Sequence, residues 1–297
     1  MMDFRMETFL TVCQYQNYTK AAKVLNITQP AVTQHIQYLQ NYYGVKLFEY
    51  KEKRLTLTFE GETLHRAALT MRNDEEKLKR SLQEEKEKRK SIRFGATLTI
   101  GDYVLPKKLA SYMNKYPQND VYMVVDNTSH LLEALNRGEL DFAVVEGYFK
   151  KSEFDCLLWS MEPYICICSG RHVLPDRILT LADLFEEKLI MRNAGSGSRE
   201  VLVRVLGGHN YHLSNFKNVV EISDIHVIKE LVKEDCGISF LYRKAVEKEL
   251  EEGTIRQVPL ANFQVFHEFN FLWRKGSIFA DEFKQTFQEL CKREKEL

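Results

Sequence analysis

The chain has 297 residues, of which 44% are hydrophobic and 28% charged, and its 42 basic residues balance its 42 acidic ones. These values are typical of a globular protein of two or three domains, and they exclude collagen-like and disordered classes. No apolar stretch approaches the roughly 18 residues that a membrane-spanning helix needs. Charged residues interrupt the first segment, where a signal peptide would have an apolar core, so we expect a cytoplasmic protein.

The zero net charge hides an asymmetry between the two parts of the chain. Residues 1–93 hold 17 Lys or Arg and 12 Asp or Glu, a net +5, whereas residues 94–297 hold 25 and 30, a net −5. The front part is therefore the candidate for binding a polyanion. Much of its excess lies in residues 77–93, so a solvated helix face is the alternative explanation.

Residues 4–43 carry apolar side chains at helical spacing in three groups, which predicts three short helices. Between the second and third groups, Thr28 can cap a helix and Pro30 falls in its first turn, where the missing N–H costs nothing. Ala21 and Ala22 are small enough for the second helix to cross the third closely. Two helices joined by a brief turn form a helix-turn-helix.

Residues 46–58 have an apolar pair, then a charged tip, and then polar and apolar residues in alternation. This pattern predicts a β-hairpin wing. The predicted phosphate contacts on this wing are Lys51, Lys53 and Arg54. The third helix has no Lys or Arg, but its exposed side chains are hydrogen-bond formers suited to base edges. These predicted readers are Gln29, Thr33, Gln34, His35 and Gln37.

This front segment resembles the winged DNA-binding domain of the LysR-type transcriptional regulators. The matching residues are Thr19, Ala21, Ala22, Leu25, Thr28, Gln29, Pro30, Ala31, Val32, Thr33, Ile36, Leu39, Gly44, Leu47, Phe48, Leu57, Thr58 and Gly61. The resemblance adds Thr19, Thr28 and Pro30 to the expected DNA-binding residues. The family usually has an arginine shortly after the Leu-Phe pair, and Tyr50 stands here instead, which puts one expected phosphate contact in question.

A long helix is predicted after the wing, because Thr58 can cap it and Glu60 and Glu62 suit its first turn. One line of mostly apolar residues along this helix, the seam, repeats at the heptad spacing of a coiled coil, with Glu75 as its one polar residue. The seam residues are Leu64, Ala68, Met71, Glu75, Leu78 and Leu82. The alternative is an amphipathic helix lying on its own domain, but residues 74–90 are so charged that we expect little surface for such packing. We therefore expect a dimer through this linker, and the family resemblance agrees.

From residue 92 onward, strand-like runs alternate with helical runs, which predicts mostly parallel, doubly wound sheets. A second such unit begins near Tyr164 and ends near Leu260, and the chain then returns with a strand at 266–273 and a helix at 279–290. We therefore expect two lobes, with a hinge where strands cross at 161–164 and 264–266.

Two segments follow strands in the manner of ligand sites, because helix N-termini at the carboxyl ends of strands offer unpaired amides. Residues 95–101 contain two threonines, and residues 193–199 contain glycines, serines and an arginine. Ordinary capping and a surface ion pair would explain each segment alone. Their matching placement in two lobes favours a ligand cleft.

The rear part resembles the effector-binding domain of the same family, itself similar to type 2 periplasmic binding proteins. The matching runs are 95–101, 105–106, 135–143, 195–199 and 237–239. This resemblance implies an α/β fold class with an N-terminal all-α winged helix-turn-helix, a long linker helix and a two-lobed effector domain. The residues that it implies at the cleft are Thr97, Thr99, Thr128, Glu146, Ser196, Gly197, Ser198, Arg199 and Ser223.

Glu146 is the unexpected member of this set, since a carboxylate facing an anionic ligand is repulsive. We expect it to pair with Arg199, to bind a ligand amine, or to point away. The expected domains are the DNA-binding domain at 1–60, the linker at 61–90 and the effector domain at 91–297. Within the last, lobe one is expected at 91–162 and 266–297, and lobe two at 163–265.

The six cysteines are most simply small buried hydrophobes in a reducing compartment. Cys166 and Cys168 would share one face of a strand, near His172, but no second ligand pair accompanies them, so we expect no metal. We expect no catalytic residue and no cofactor, because the nucleotide-binding and hydrolase motifs are missing from the sequence.

The expected function is that of a sequence-specific transcription regulator. Its expected partners are double-stranded DNA, a small polar or anionic effector, and further copies of itself as a dimer and a tetramer. A solute-binding protein without DNA activity is the other alternative. It would need export, and it would leave the helix-turn-helix unexplained.

Overall fold

The computed structural model describes residues 2–87, 90–261 and 263–291. A winged helix-turn-helix, a long linker helix and a two-lobed α/β domain follow one another along the chain. In the described part of the chain, no helix is both long and apolar enough to cross a membrane.

The predicted helix-turn-helix is confirmed. Its helices are α1 (Phe4–Tyr15), α2 (Tyr18–Leu25) and α3 (Gln29–Tyr43). Thr28 is the N-cap of α3, and its Oγ1 accepts the Ala31 amide at 3.3 Å. Ala21 and Ala22 are buried where α2 packs on its neighbours.

The wing is the two-stranded hairpin of β1 (Phe48–Lys51) and β2 (Arg54–Leu57). Its two central turn residues, Glu52 and Lys53, have φ values of 48° and 65°. Positive φ at both positions is the type I′ geometry, which matches the twist of hairpin strands. The charged tip that the sequence predicted is therefore a tight turn.

The linker is the single helix α4 (Phe59–Glu87), with Glu60 and Glu62 in its first turn. Thr58 Oγ1 accepts the amide of Gly61 at 2.9 Å, as predicted for a cap. Position 61 requires glycine because the Leu47 backbone lies too close for a side chain. A Cβ there would lie 2.1 Å from the carbonyl oxygen of Leu47. The wing and the linker are thus held together at this point.

The seam of α4 is divided between two environments. Leu64 and Ala68 pack in the core of the helix-turn-helix, so they are not part of a free seam as expected. Met71, Leu78 and Leu82 are 56%, 43% and 55% exposed. The unpartnered apolar stripe of the linker therefore begins at Met71.

The expectation that the charged part of α4 offers little packing surface is wrong. Asn73, Asp74 and Lys77 are buried against the α/β domain of the same chain. Asp74 accepts hydrogen bonds from the Ser277 hydroxyl at 2.5 Å and the Ile278 amide at 3.0 Å. Polar side chains make this contact because their partners are backbone groups and charges, which helical apolar periodicity does not report.

The α/β domain alternates strands and helices as predicted. Its strands are β3 (Ser91–Ala96), β4 (Asp120–Val125), β5 (Phe142–Val145), β6 (Phe154–Ser169), β7 (Lys188–Arg192), β8 (Asn218–Ile222), β9 (Ser239–Tyr242), β10 (Ile255–Gln257) and β11 (Val265–Arg274). Its helices are α5 (Leu98–Tyr103), α6 (Leu105–Lys115), α7 (Thr128–Arg137), α8 (Gly197–Gly208), α9 (Ile225–Lys233), α10 (Arg243–Glu252) and α11 (Ala280–Cys291).

Strands β6 and β11 form one antiparallel ribbon that runs through both lobes. Their register extends from Val265 opposite Tyr164 to Arg274 opposite Phe154, with a shift between Phe269 and Asn270. The two strand crossings that the sequence predicted near 161–164 and 264–266 lie side by side in this ribbon. They connect the lobes through paired strands.

The sheet differs from the expected pair of parallel sheets. Strands β5, β3 and β4 are parallel in lobe one, as expected. In lobe two, β9 and β10 pair antiparallel with β6, and β7 pairs in parallel with β8. One mixed sheet of seven strands results, in the order β10-β6-β11-β5-β3-β4 with β9 also paired to β6, because the long ribbon enters both lobes.

Candidate functional site

The helix-turn-helix and the wing expose all ten of the predicted DNA-binding side chains. These are Thr19, Thr28, Gln29, Pro30, Thr33, Gln34, Gln37, Lys51, Lys53 and Arg54. Gln29 Nε2 donates to Thr33 Oγ1 at 3.1 Å, and Gln37 Nε2 donates to Asn41 Oδ1 at 2.8 Å. Exposed side-chain hydrogen bonds of this kind are readily exchanged for hydrogen bonds to base edges.

A groove of about 470 Å³ lies between the start of α2 and the wing. Thr19, Lys20 and Gln29 line it together with Lys53 and Arg54. The structure therefore brings predicted base and phosphate contacts to one surface. Lys20 was missed from the sequence, although its position next to Thr19 in the matching block was a usable signal.

His35 does not belong to the exposed readers, which corrects the sequence interpretation. Its Nδ1 lies 2.9 Å from Thr8 Oγ1, and its ring meets the Phe4 ring edge-on at 4.8 Å. The side chain thus joins α1 to α3. On the wing, Lys51 Nζ lies 2.7 Å from the Glu49 carboxylate, and this hydrogen bond raises the pKa of Lys51.

The lobe-one side of the cleft is built around Glu146, which follows β5 and is 1% exposed. Thr97 Oγ1 donates to one oxygen of this carboxylate, and Thr99 Oγ1 donates to the other at 3.2 Å. Both threonines are buried at the start of α5. Thr128, the first residue of α7, is also buried, and its Oγ1 has no hydrogen-bond partner.

Burial raises the pKa of Glu146 to about 7, although the hydrogen bonds from the threonines and the charge of Arg192 oppose the shift. Its expected pairing with Arg199 is wrong. Arg199 Nη1 lies 2.6 Å from Glu221 and donates to the Arg192 carbonyl at 3.2 Å. The cleft carboxyl is therefore held by hydroxyls of its own lobe.

The lobe-two side of the cleft is the start of α8. The Ser196 and Ser198 hydroxyl oxygens are 3.0 Å apart and buried. Gly195 has φ of 83°, a left-handed conformation that favours glycine. A Cβ on Gly197 would lie 2.7 Å from the Cα of Gly147, so the two lobes touch here at backbone distance.

Two buried tyrosines, one on β6 and one at the end of β9, connect the sheet to both sides of the cleft. Tyr164 Oη donates to the Ser198 carbonyl at 2.9 Å, and Tyr242 Oη donates to the Glu146 carbonyl at 3.3 Å. Burial raises the pKa of each phenol well above its usual value, so both stay neutral donors. Neither tyrosine was predicted at the site from the sequence, because both occur in patterns typical of buried strand residues.

Two further residues, Arg192 and Ser223, lie in places that differ from the sequence prediction. Arg192, at the end of β7, is 4% exposed and was not predicted. Ser223 was predicted, but it lies exposed on the bend before α9, outside the buried cluster. Its neighbour Asp224 caps α9 by accepting the Val227 amide at 3.1 Å.

A wider groove of about 710 Å³ opens between α7 and α8. Gly195 and Arg199 line it, together with Tyr148 and Arg204, whose guanidinium lies 3.4 Å from the Tyr148 ring centre. Arg199 therefore faces this open groove, whereas Ser196 and Ser198 belong to the buried cluster.

The C-terminal end of α7 is bound by the linker helix. Arg72 Nη2 donates to the Asn136 carbonyl at 2.6 Å, and Asn73 Nδ2 donates to the Leu135 carbonyl at 2.9 Å. Arg80 Nη1 donates to the Gly138 carbonyl at 3.2 Å. Linker side chains thus satisfy carbonyls that a helix end leaves free.

The cysteines are free thiols, and Cys166 and Cys168 are core residues as expected. Cys236 is exposed, which corrects the expectation that all six are buried. Within residues 2–87, 90–261 and 263–291, no group of three or more metal-binding side chains is arranged around a common point.

A winged helix-turn-helix joined by a long helix to a two-lobed domain defines a DNA-binding regulator with a ligand-binding module. The family model described as LysR substrate binding domain matches residues 85–292. The model described as bacterial regulatory helix-turn-helix protein, lysR family, matches residues 4–62. The chain belongs to the LysR family of transcriptional regulators, which are regulators and not enzymes.

Related proteins agree with this assignment over most of their length. The regulator CysL of Bacillus subtilis strain 168 is 29% identical over 270 residues, 90% of this chain and 89% of the relative. YeiE of Escherichia coli strain K12 is 29% identical over 256 residues, 86% of this chain and 85% of the relative.

Solved structures share the fold. A mutant of OxyR from Corynebacterium glutamicum has a TM-score of 0.61 at 21% identity, covering 97% of this chain and 90% of that one. A full-length OxyR variant from Pseudomonas aeruginosa has a TM-score of 0.59 at 20% identity, covering 98% of this chain and 100% of that one.

Proposed function

We propose that this regulator binds a specific operator and that a small polar or anionic effector, bound between its lobes, changes that binding. The observation that carries the proposal is the buried set of polar side chains contributed by both lobes. Lobe one supplies Thr97, Thr99 and Glu146, and lobe two supplies Ser196 and Ser198. These groups are hydrogen-bonded within their own lobes, and a cluster of buried polar groups that converge from two lobes is typical of a ligand site.

We propose that the first turns of α3 read bases, through Gln29, Thr33 and Gln34. The exposure of these side chains supports this role, as does the geometry of helix-turn-helix proteins, whose second helix enters the major groove. Lys53 and Arg54 on the wing, with Lys20 on α2, would contact phosphates. A cytoplasmic location is part of this proposal, because a transcription regulator must reach its DNA.

We propose that two chains pair along α4, and that dimers assemble into a tetramer through their effector domains. Members of the LysR family bind DNA and small-molecule effectors and oligomerise. The exposed stripe of Met71, Leu78 and Leu82 supports pairing, since these residues keep heptad spacing and have large exposed fractions. Leu64 and Ala68 are excluded from the proposed pairing, because they pack in the helix-turn-helix core.

The proposed organisation keeps the expected boundaries. Residues 1–60 would bind DNA, residues 61–90 would link and dimerise, and residues 91–297 would bind the effector. Lobe one would comprise 91–162 and 266–297, and lobe two 163–265. The ribbon of β6 and β11 would be the hinge, since both strands run through both lobes.

Helix α7 is the proposed connection between effector and DNA. It begins at Thr128 in the cleft and ends at Arg137, where Arg72 and Asn73 of the linker bind its last carbonyls. A short helix moves as a rigid unit, so a shift at Thr128 would be felt at the linker. An effector acts on DNA through this connection only if it binds the two arrangements with different affinity.

The test uses the double variant Thr99→Ala with Ser198→Ala. Small metabolites that raise the melting temperature of the full-length wild type are first identified by a thermal-shift screen. Operator footprints are then recorded with and without these compounds. We expect the variant to lose the response and to keep basal operator binding, because neither residue touches the DNA-binding segment.

The matched control removes one hydroxyl from each lobe outside the cleft, with Thr286→Ala and Ser214→Ala. This control should respond like the wild type. A Thr99 and Ser198 double variant with an unchanged response would move the effector site out of the cleft. Loss of all DNA binding in that variant would assign the two hydroxyls to folding.

A further inference from the structure

Arg192 is a buried cation, and part of its guanidinium has no hydrogen-bond partner in the protein. It is the last residue of β7 and is 4% exposed. Its Nε and Nη1 atoms are buried and have no hydrogen-bond partner. A guanidinium stays charged at any ordinary pH, so removing these donors from water without a partner is costly. Such an arrangement is typical of a site whose partner is a ligand.

The carboxylates near Arg192 do not accept hydrogen bonds from its unpaired donors. Glu146 acts on its charge from lobe one, but it makes no hydrogen bond to the Nε or Nη1 atom of Arg192. Asp102 and Asp224 also act on it, and both are exposed, so solvent screens them. The Nε and Nη1 donors of the guanidinium therefore remain available for charge-assisted hydrogen bonds to an anion.

A second set of donors lies close in sequence at the start of α8. Ser196 is the N-cap of this 12-residue helix, and its side chain makes no capping hydrogen bond. Its hydroxyl and that of Ser198 are bonded to each other at 3.0 Å and are both buried. Free amides at a helix N-terminus favour negative charge, as the guanidinium does.

We propose that the effector is a small oxyanion, of the carboxylate, sulfate or phosphate class, and that Arg192 is its anchor in lobe two. This inference rests on the cleft being the effector site. Ser196 and Ser198 supply hydroxyl donors, and the lobes separate to admit the ligand. Glu146 takes up one proton from solvent when the anion binds, so that no second negative charge remains buried opposite it.

The surroundings of Glu146 support the proton uptake. Burial holds its pKa at about 7, and Arg192, Thr97 and Thr99 lower that value whereas Asp102 raises it. The other titratable groups facing it are the phenols of Tyr164 and Tyr242, which stay neutral. An incoming anion favours the neutral carboxyl, so the bound state holds more protons than the free state. Affinity therefore falls as pH rises through the pKa.

The experiment is calorimetric titration of the full-length protein with sodium acetate, sulfate and phosphate at constant ionic strength. At least one anion should bind, and its Kd should increase about tenfold between about pH 6 and about pH 8, as expected for one linked proton. Repeating the titration in buffers of different ionisation enthalpy measures proton uptake directly in the wild type. Acetamide, the neutral analogue of acetate, should not bind.

Two variants separate the roles of the charged residues. Arg192→Gln should abolish anion binding, whereas Arg171→Gln, an exposed arginine of the same lobe paired with Glu234, should leave it unchanged. Glu146→Gln should bind the anion at the higher pH as tightly as the wild type does at the lower pH. Circular dichroism and operator binding verify that each variant is folded.

Three results would overturn the inference. In the first, the wild type binds none of the three anions. In the second, Arg192→Gln binds an anion as tightly as the wild type. In the third, the wild type binds the anion more tightly at the higher pH. Glycine is titrated beside acetate, and a preference for glycine with tighter binding at higher pH would likewise overturn the inference, because the cleft would then bind a zwitterion. The cleft itself is tested separately by the Thr99 and Ser198 double variant, whose lost response does not depend on the charge of the ligand.

Discussion

The side-chain amide of Asn73, in the linker, donates at 2.9 Å to the carbonyl of Leu135, near the end of α7 in the effector domain. The same nitrogen donates at 2.8 Å to the Leu140 carbonyl, and Asn73 is fully buried. One asparagine thus satisfies two backbone acceptors of the other domain. The two domains are joined here by hydrogen bonds that water does not screen.

We expect Asn73→Ala to destabilise the protein by about 2 kcal/mol, because two buried carbonyls lose this donor. Thermal and urea unfolding of the variant measure the loss. Gln83→Ala, on an exposed position of the same helix, is the matched control and should change stability little. An Asn73 variant as stable as the control would show that the linker does not hold α7 in solution.

Base reading by α3 predicts a loss of specificity in Thr33→Ala and Gln34→Ala. A good bidentate contact to a base discriminates by about 1 to 3 kcal/mol, so specific and random DNA should become closer in affinity. Competition footprints with the operator and random DNA measure this gap. If random DNA competes with the operator equally well for both variants and for the wild type, Thr33 and Gln34 do not read bases.

Phosphate contact by the wing predicts a different pattern for Lys53→Ala and Arg54→Ala. Each variant should bind every sequence more weakly and with a shallower dependence on salt, because fewer counterions are released. Binding isotherms at several salt concentrations determine the slope. A variant that weakens operator binding alone would place that side chain at a base.

Pairing along the exposed stripe of α4 predicts that Leu78→Lys dissociates the dimer. Leu78 is 43% exposed in the chain, so the substitution should not disturb its fold, and a dimer would bring the two lysines together. Sedimentation should show monomers that bind single half-sites weakly. Gln83→Lys adds the same charge beside the stripe and should remain a dimer. A tight Leu78→Lys dimer would mean that the chains associate elsewhere.

The buried carboxyl of Glu146 predicts a pH-dependent contribution to stability. Its pKa is about 7 in the folded protein against 4.5 for an ordinary glutamate, so the folded state binds more protons between these values. Stability from this group is therefore fully present below about pH 4.5, falls as pH rises and levels off above about pH 7. Over this range the change is about 3 kcal/mol.

Glu146→Gln should remove that dependence. The variant should be more stable than the wild type at about pH 8, and most of the difference should be lost at about pH 5, where the carboxyl of the folded protein is neutral. Chemical unfolding of both proteins at the two pH values measures the difference and cancels contributions from other carboxyls. A difference that does not change with pH would mean that Glu146 is ionised throughout.

The sequence determined the local elements of this protein. Thr28 and Pro30 fix the start of α3, and Thr58 fixes that of α4, because caps and first-turn residues act on neighbouring backbone groups. The family matches at 4–62 and 85–292 agree with the predicted order of the domains. Thr97 and Thr99 could be predicted at a cleft, as could Ser196 and Ser198, because both pairs lie in the segment between a strand and the first turn of the next helix.

The tertiary structure decided which polar groups meet. Glu146 is held by hydroxyls 49 and 47 residues away, and Asn73 by carbonyls 62 and 67 residues away. Apolar periodicity tells which face of an element is buried, and it does not tell which distant group a buried polar side chain contacts. Arg192 was missed for this reason, because a strand-terminal arginine is ordinarily exposed. Its burial depends on how lobe two packs around β7 and against lobe one.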